Sequence, residues 1–92
     1  MQSKIRPVVL VSRDSHLETR QLLMVVPVTT QTRGLNTQIP LGPEDGLPKA
    51  CIADAGSIST IWKSQLRGRI TELSSRKKYE LNAALRYALG LD

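Results

Sequence analysis

The longest apolar run of the chain, Q21-L-L-M-V-V-P-V-T-T30, carries a proline in its middle. Proline offers a ladder no N–H, so a strand through Pro27 belongs at an edge or a bulge, where the chain bends and the side chains after it are re-aimed. A bent strand end is a place to present polar groups, and Thr29, Thr30, Gln31 and Thr32 follow at once. Taken alone, the β propensity of threonine explains the pattern. Whether these groups do chemistry has to come from what the rest of the chain places beside them.

Upstream, R6-P-V-V-L-V-S12 is a short β-branched run bounded by Pro7 and by the polar segment R13-D-S-H-L-E-T-R20, which reads as a buried strand followed by a loop or hairpin turn. The Pro27 run is its expected antiparallel partner. After Arg33-Gly34, N36-T-Q-I-P-L41 reads as a Pro-bearing edge strand and G42-P-E-D-G-L-P48 as a turn-rich loop. K49-A-C-I-A-D54 and S57-I-S-T-I61 form a strand and its continuation around Ala55-Gly56, and R69-I-T-E-L73 is expected as a last short strand. The period then changes. Leu81, Ala84, Leu85, Ala88 and Leu89 recur at helical spacing, with Ser74 or Ser75 available to cap the start and Gly90 the end. The chain is therefore expected to be mainly β, a small and strongly bent sheet with a C-terminal helix, in a single domain over residues 1–92.

Thirteen Lys and Arg against eight Asp and Glu give a net charge of +5, which favours polyanionic partners such as nucleic acid. Lys63, Arg67, Arg69, Arg76, Lys77 and Lys78 share a stretch with a single acid, Glu72, so the positive field is expected there. Arg76, Lys77 and Lys78 fall in the first helical turn, against the helix dipole. With Trp62, Tyr79 and Tyr87 as the only aromatics, a sheet that stacks bases on aromatic rings is disfavoured, and RNA contacts would rest on charge and hydrogen bonds. Cys51 is the only cysteine and His16 the only histidine, which excludes an intramolecular disulfide and a Cys/His zinc site. Cys51 is expected to be a structural thiol and His16 a solvated loop residue. A Gly-rich phosphate loop and a Ser-His-Asp set are both missing, so no cofactor or metal is expected. No run approaches the ~18 apolar residues of a bilayer span, and the start lacks a signal-peptide apolar region, which predicts a cytoplasmic protein.

Arg6 opens one strand and Thr29 closes the strand expected to pair with it. In an antiparallel pair the start of one strand lies beside the end of the other, so the two residues should converge. A guanidinium is a fixed charge with five donors, and a threonine hydroxyl can donate to a second oxygen of the same group. Such a pair suits a phosphodiester.

These residues resemble the MazF/PemK family of toxin endoribonucleases. The resemblance runs through R6-P-V-V-L-V-S-R-D-S15, V25-V-P-V-T-T-Q-T-R-G-L35, the P40-L-G-P-E-D-G-L-P-K49 loop, C51-I-A-D54 and the ending A83-A-L-R-Y-A-L-G-L91, covering nearly the whole chain. It implies an SH3-like small barrel with a C-terminal helix, a homodimer, an acidic MazE-like antitoxin partner, and metal-independent cleavage of single-stranded RNA. It also implies that Arg6 and Thr29 are the catalytic pair. Thr30, Gln31 and Arg33 beside them, with Lys63, Arg67 and Lys77 of the basic stretch, make up the expected RNA-binding set. Members of the family usually have a further strand and a Gly-rich loop before the Arg-Pro, whereas five residues precede Arg6 here, and Ala55 stands where a Gln often follows the Asp. These departures keep a second reading open, a reduced barrel that binds RNA or antitoxin without cutting. A gyrase-directed toxin of the CcdB type is a third, disfavoured by the Arg-Pro and Val-Pro-x-Thr motifs.

Overall fold

The structure, a computed structural model, describes residues 6–11, 18–31, 34–68 and 70–91. Five strands, β1 (Val8–Leu10), β2 (Leu22–Thr29), β3 (Gln38–Leu41), β4 (Cys51–Asp54) and β5 (Ser59–Trp62), precede one long helix, α1 (Ser75–Leu89). All pairings are antiparallel: β1 lies along one side of β2, β5 and then β4 along the other, and β3 lies outside β4. The expected mainly-β fold with a C-terminal helix is therefore present.

Pro27 sits in the central strand, not at an edge, and the ladder shows how that is tolerated. The bonds Val28 N–H to Pro7 O (3.2 Å) and Val11 N–H to Met24 O (3.1 Å) bracket Val8↔Pro27 and Leu10↔Val25 as pairs that exchange no hydrogen bonds. The Pro27 nitrogen therefore points away from β1, toward the other flank. There the register jumps from Val25↔Ser59 in β5 to Val28↔Ala53 in β4, so the missing N–H falls in a gap between two ladders. The gap is filled by a single 3-10 turn, Ala55–Ser57, which turns the chain from β4 into β5. Asp54 holds this corner, its carboxylate accepting from Gly56 N–H (3.1 Å) and Ser57 Oγ (3.2 Å). The strand expected to continue around Ala55-Gly56 thus continues with a corner in it, and the sheet bends there.

Alternation along β2 assigns its two faces. Val26 and Val28 join Ile39, Leu41, Leu47, Ala53, Ala55, Leu81 and Ala84 in the main core, against which Val9, Val11, Cys51 and Leu73 pack. Leu23, Val25 and Ile52 are also buried but lie outside that cluster, on the opposite face. The centre of the sheet is covered on both sides. The helix covers one of them, packing on β3 and the corner turn.

Helix α1 begins at Ser74, whose hydroxyl accepts from Lys77 N–H at 3.2 Å, and ends at Gly90 in the left-handed region (φ 70°). Bonds from Gly90 N–H to Tyr87 O (3.3 Å) and from Leu91 N–H to Arg86 O (2.8 Å) close its last carbonyls. The last strand expected at 69–73 does not form, since residues 70–73 have no ladder partner. Ile70 stays 61% exposed while Leu73 anchors on the core, so the segment is an extended entry to the helix. It crosses the loop turn at Gly46, where φ is +91° and a Cβ would stand 2.7 Å from Thr71 Oγ1.

Candidate active site

Two local constraints bear on the direction of the chain at Arg6, just before β1. Pro7 biases the residue before it toward an extended backbone. Lacking an N–H, Pro7 makes only the acceptor half of its pairing with Val28, and the ladder stops there. Carrying the Val8↔Pro27 register two residues further sets Arg6 opposite Thr29. Val9 and Val11 face the main core, so Val8, Leu10 and Arg6 face away from it, as do Pro27 and Thr29. Both site residues therefore share one face of the sheet, with Arg6 exposed and Thr29 half-buried.

The Thr29 hydroxyl is oriented from its own chain. Gln31 N–H donates to Thr29 Oγ1 at 3.2 Å, taking one acceptor position and leaving the hydroxyl proton for an external oxygen. Arg6 meets no carboxylate among the described residues, so its charge is directed at solvent. Across the next ladders, Thr29 pairs with Ile52 and Ile52 with Pro40, a row about 10 Å wide at ordinary strand spacing.

The rest of the expected RNA-binding set is dispersed. Thr30 and Gln31 are exposed directly after Thr29, and Thr30 borders a shallow depression of about 190 Å³ with Ala50, Cys51 and Ile52. Arg33 lies outside the described residues, as does His16. Lys63 and Arg67 follow β5, whose Trp62 pairs with Leu22 at the opposite end of β2, about 23 Å from Thr29 along the strand. Lys77 lies near the Pro40 end of the row, but its ammonium donates to Pro40 O at 2.6 Å. Its neighbours are engaged too, Lys78 with Glu72 (2.8 Å) and Arg76 with Glu80 (3.3 Å). The single basic field expected from the sequence is thus split between the end of β5 and the helix start, and the helix cations are committed within the fold.

Cys51 is half-buried against the core. Burial pushes its thiol pKa up, Asp45 and Glu44 add to the rise, and Lys49 opposes it. That is the environment of a protonated structural thiol, not of a nucleophile. The Gln31 amide on Thr29 was missed in the sequence, although a Thr at a strand exit is a known site for a hydroxyl to bond the backbone two residues on.

The family of PemK-like, MazF-like toxins of type II toxin–antitoxin systems matches residues 1–89. The probable endoribonuclease MazF2 of Mycobacterium tuberculosis is 31% identical over 86 residues, covering 92% of this chain and 84% of that protein. Endoribonuclease MazF3 of the same organism is 29% identical over 89 residues, covering 97% of this chain and 86% of its own length. Among solved structures, the M. tuberculosis toxin MazF-mt6 superposes with a TM-score of 0.89 at 29% identity, over 95% of this chain and 88% of that one. A mycobacterial endoribonuclease in complex with its cognate antitoxin superposes with a TM-score of 0.83 at 29% identity, over 95% and 82%.

Proposed function

The chain belongs to the PemK-like, MazF-like toxins of type II toxin–antitoxin systems, and from that premise we propose that it is an endoribonuclease that cuts single-stranded RNA between Arg6 and Thr29. The observation that supports this reading is the β1–β2 register, Val8↔Pro27 to Leu10↔Val25, which brings the start of β1 to the end of β2 that carries Thr29. The RNA supplies its own nucleophile. Its 2′-oxygen forms a bond to the adjacent phosphorus as its proton leaves to solvent, and the bond to the 5′-oxygen breaks as that oxygen takes up a proton. The products are a 2′,3′-cyclic phosphate and a 5′-hydroxyl.

What the protein must provide is stabilisation of the charge that develops on the phosphorane. Arg6 supplies the fixed positive charge and Thr29 a donor to a non-bridging oxygen. An arginine with a pKa above about 12 is poorly suited to shuttle protons near neutrality, so its role is electrostatic. Thr30 and Gln31, exposed directly after Thr29, are assigned to the flanking nucleotides. The 92 residues act as one MazF/PemK-like domain, as a cytoplasmic homodimer held in check by an acidic antitoxin. Exposed Leu22 and Trp62, at the end of β2 remote from Thr29, are assigned to the contact with a second copy. Among the described residues no helix is long and apolar enough to cross a membrane.

The test is incubation with a mixed-sequence single-stranded RNA in EDTA, with both new ends mapped. Cyclic phosphate and 5′-hydroxyl ends are expected, and RNA lacking the 2′-hydroxyl at the scissile position should bind and stay intact. Cleavage of that deoxy-substituted RNA at the same bond would overturn the mechanism.

A further inference from the structure

Helix α1 and β3 leave a groove of about 380 Å³ between them. Tyr79, Ala83 and Tyr87 line it at four-residue steps, so they share one helix face, with the two tyrosines about 12 Å apart along the axis. Tyr79 is 76% exposed and Tyr87 60%, so their rings stand in water on either side of a small residue that leaves space between them. Glu80 and Asn36 add polar groups to the same groove. Arg76 engages one carboxylate oxygen of Glu80, Nε to Oε2 at 3.3 Å. A carboxylate has about four acceptor positions, so Glu80 can still accept from a ligand. Lys77 is turned to the edge of β3, where its ammonium donates to Pro40 O at 2.6 Å. The groove thus presents aromatic faces, an amide and a negatively charged acceptor, a set that suits a flat group bearing N–H donors.

Pro40 connects this groove to the candidate active site. It lines the groove and is also the far member of the row Thr29, Ile52, Pro40, which is about 10 Å wide at ordinary strand spacing. We propose that the groove is a nucleobase subsite for the same RNA, taking an unpaired base with an exocyclic amine a short way along the strand from the scissile phosphate. The inference rests on the assignment of Thr29 to the site, and adds a base preference and the residues that set it. The base stacks on a tyrosine ring, a contact indifferent to base identity. Selectivity comes from the polar groups, because an amine of adenine, cytosine or guanine donates to Glu80 while the Asn36 amide meets the neighbouring ring nitrogen. Uracil has no amine and turns a carbonyl oxygen toward the carboxylate, so it is rejected. Tyrosines beside a carboxylate also suit an arginine side chain. Glu80 already holds one guanidinium, that of Arg76, which a second would have to displace, whereas a neutral base adds to the pair.

The probes are 2′-O-methyl hexanucleotides of adenosine, cytidine and uridine, single strands that cannot be cut because the attacking hydroxyl is capped. Binding to the whole protein is followed by NMR through the ring signals of Tyr79 and Tyr87. The adenosine and cytidine probes should move these signals with an affinity about tenfold higher than the uridine probe. Tyr87→Leu keeps an apolar helix former in place and should weaken the adenosine and cytidine probes about tenfold, through lost stacking. Glu80→Gln puts a group that also donates where one only accepted, and should remove the preference over uridine. Ring signals unmoved by every probe at millimolar concentration would overturn the proposal, as would equal affinity for the three. So would ring signals that move with protein concentration alone, because the groove would then belong to a second copy. A response to N-acetylarginine amide at lower concentration than to any oligonucleotide would overturn it too, and give the groove to a cationic peptide. Capped strands report binding without chemistry. A protein that shows the base preference but cuts no RNA would retain this inference and lose the catalytic one, and a protein that cuts RNA with both rings unmoved would do the reverse.

Discussion

Arg6 and the start of helix α1 are the two cationic regions that matter most here, and they have opposite fates. At the helix start three consecutive cations, Arg76, Lys77 and Lys78, each find an oxygen within the fold. Just before β1 a single arginine meets no carboxylate among the described residues. The cluster is conspicuous in the sequence, and its cations have oxygen partners in the molecule. The isolated residue is inconspicuous and available. Charge density along a chain measures how many cations are near, not how many are free.

Substitutions can break that comparison. Arg6→Ala removes the fixed charge at the phosphorane and should lower single-turnover cleavage by about 10²–10³, the scale of losing an oxyanion donor. Its circular dichroism should match the wild type, since Arg6 is exposed and makes no ladder bond. Thr29→Val keeps the β-branched shape and deletes one neutral donor, so a smaller loss of about 10–10² is expected with the fold intact. If both folded variants cut at the wild-type rate, the reading of this end of the sheet is wrong and the helix start becomes the region to mutate.

That the pairing of the first two apolar runs was legible in the sequence, while the surroundings of the candidate site were not, has a physical reason. The β1–β2 ladder joins two adjacent runs antiparallel, a local event fixed by chain direction. The helix was equally plain, because five apolar residues at one spacing admit one reading. Lys77, by contrast, bonds to Pro40, 37 residues away, and no local pattern encodes that contact. Pro27 misled for a related reason. A proline that fits an edge also fits the gap between two ladders, and the gap exists only once the Ala55–Ser57 corner has formed. Residues 69–73 have strand-like composition, but a strand needs a ladder partner, and residues 70–73 have none.

Lys77→Ala tests the structural side of the comparison. It deletes a charge-assisted bond to a backbone carbonyl, partly exposed and hence worth about 1 kcal/mol or less. The melting temperature should fall by up to about 4–8 °C, the scale for a domain of this size. Any effect on cleavage should appear in KM and not in the rate at saturating RNA, and a loss in that rate comparable to Arg6→Ala would return Lys77 to the site.

Cys51 lies on β4 between the two regions and offers a smaller, pH-dependent check. Folding raises its pKa, so the folded state favours the thiol over the thiolate. The resulting stabilisation is fully present below the unfolded value of about 8.5 and is lost as pH rises through the folded value. Cys51→Ser should therefore flatten the alkaline decline of the melting temperature. Alkylation of the native thiol at pH 7.5 should be slower than that of the unfolded chain, and equal rates would contradict the environment assigned to it.

The smallest effect is expected where the sequence places the most charge. Arg76 lies four residues before Glu80, the less favourable order for an ion pair on a helix, and its side chain is 88% exposed. Such a pair contributes about 0.2–0.5 kcal/mol, while a cation in the first turn costs a similar few tenths against the dipole. The two terms nearly cancel, so Arg76→Ala should move the melting temperature by no more than about 2 °C in either direction. RNA affinity provides the independent measurement. If Arg76 contacted a phosphate, its loss would lower the slope of log affinity against log salt by about 0.7, the single-strand value per contact. An unchanged slope is expected, because this cation serves Glu80; a reduced one would show that an exposed helix-start charge reaches the RNA after all, and would erase the distinction between the two regions.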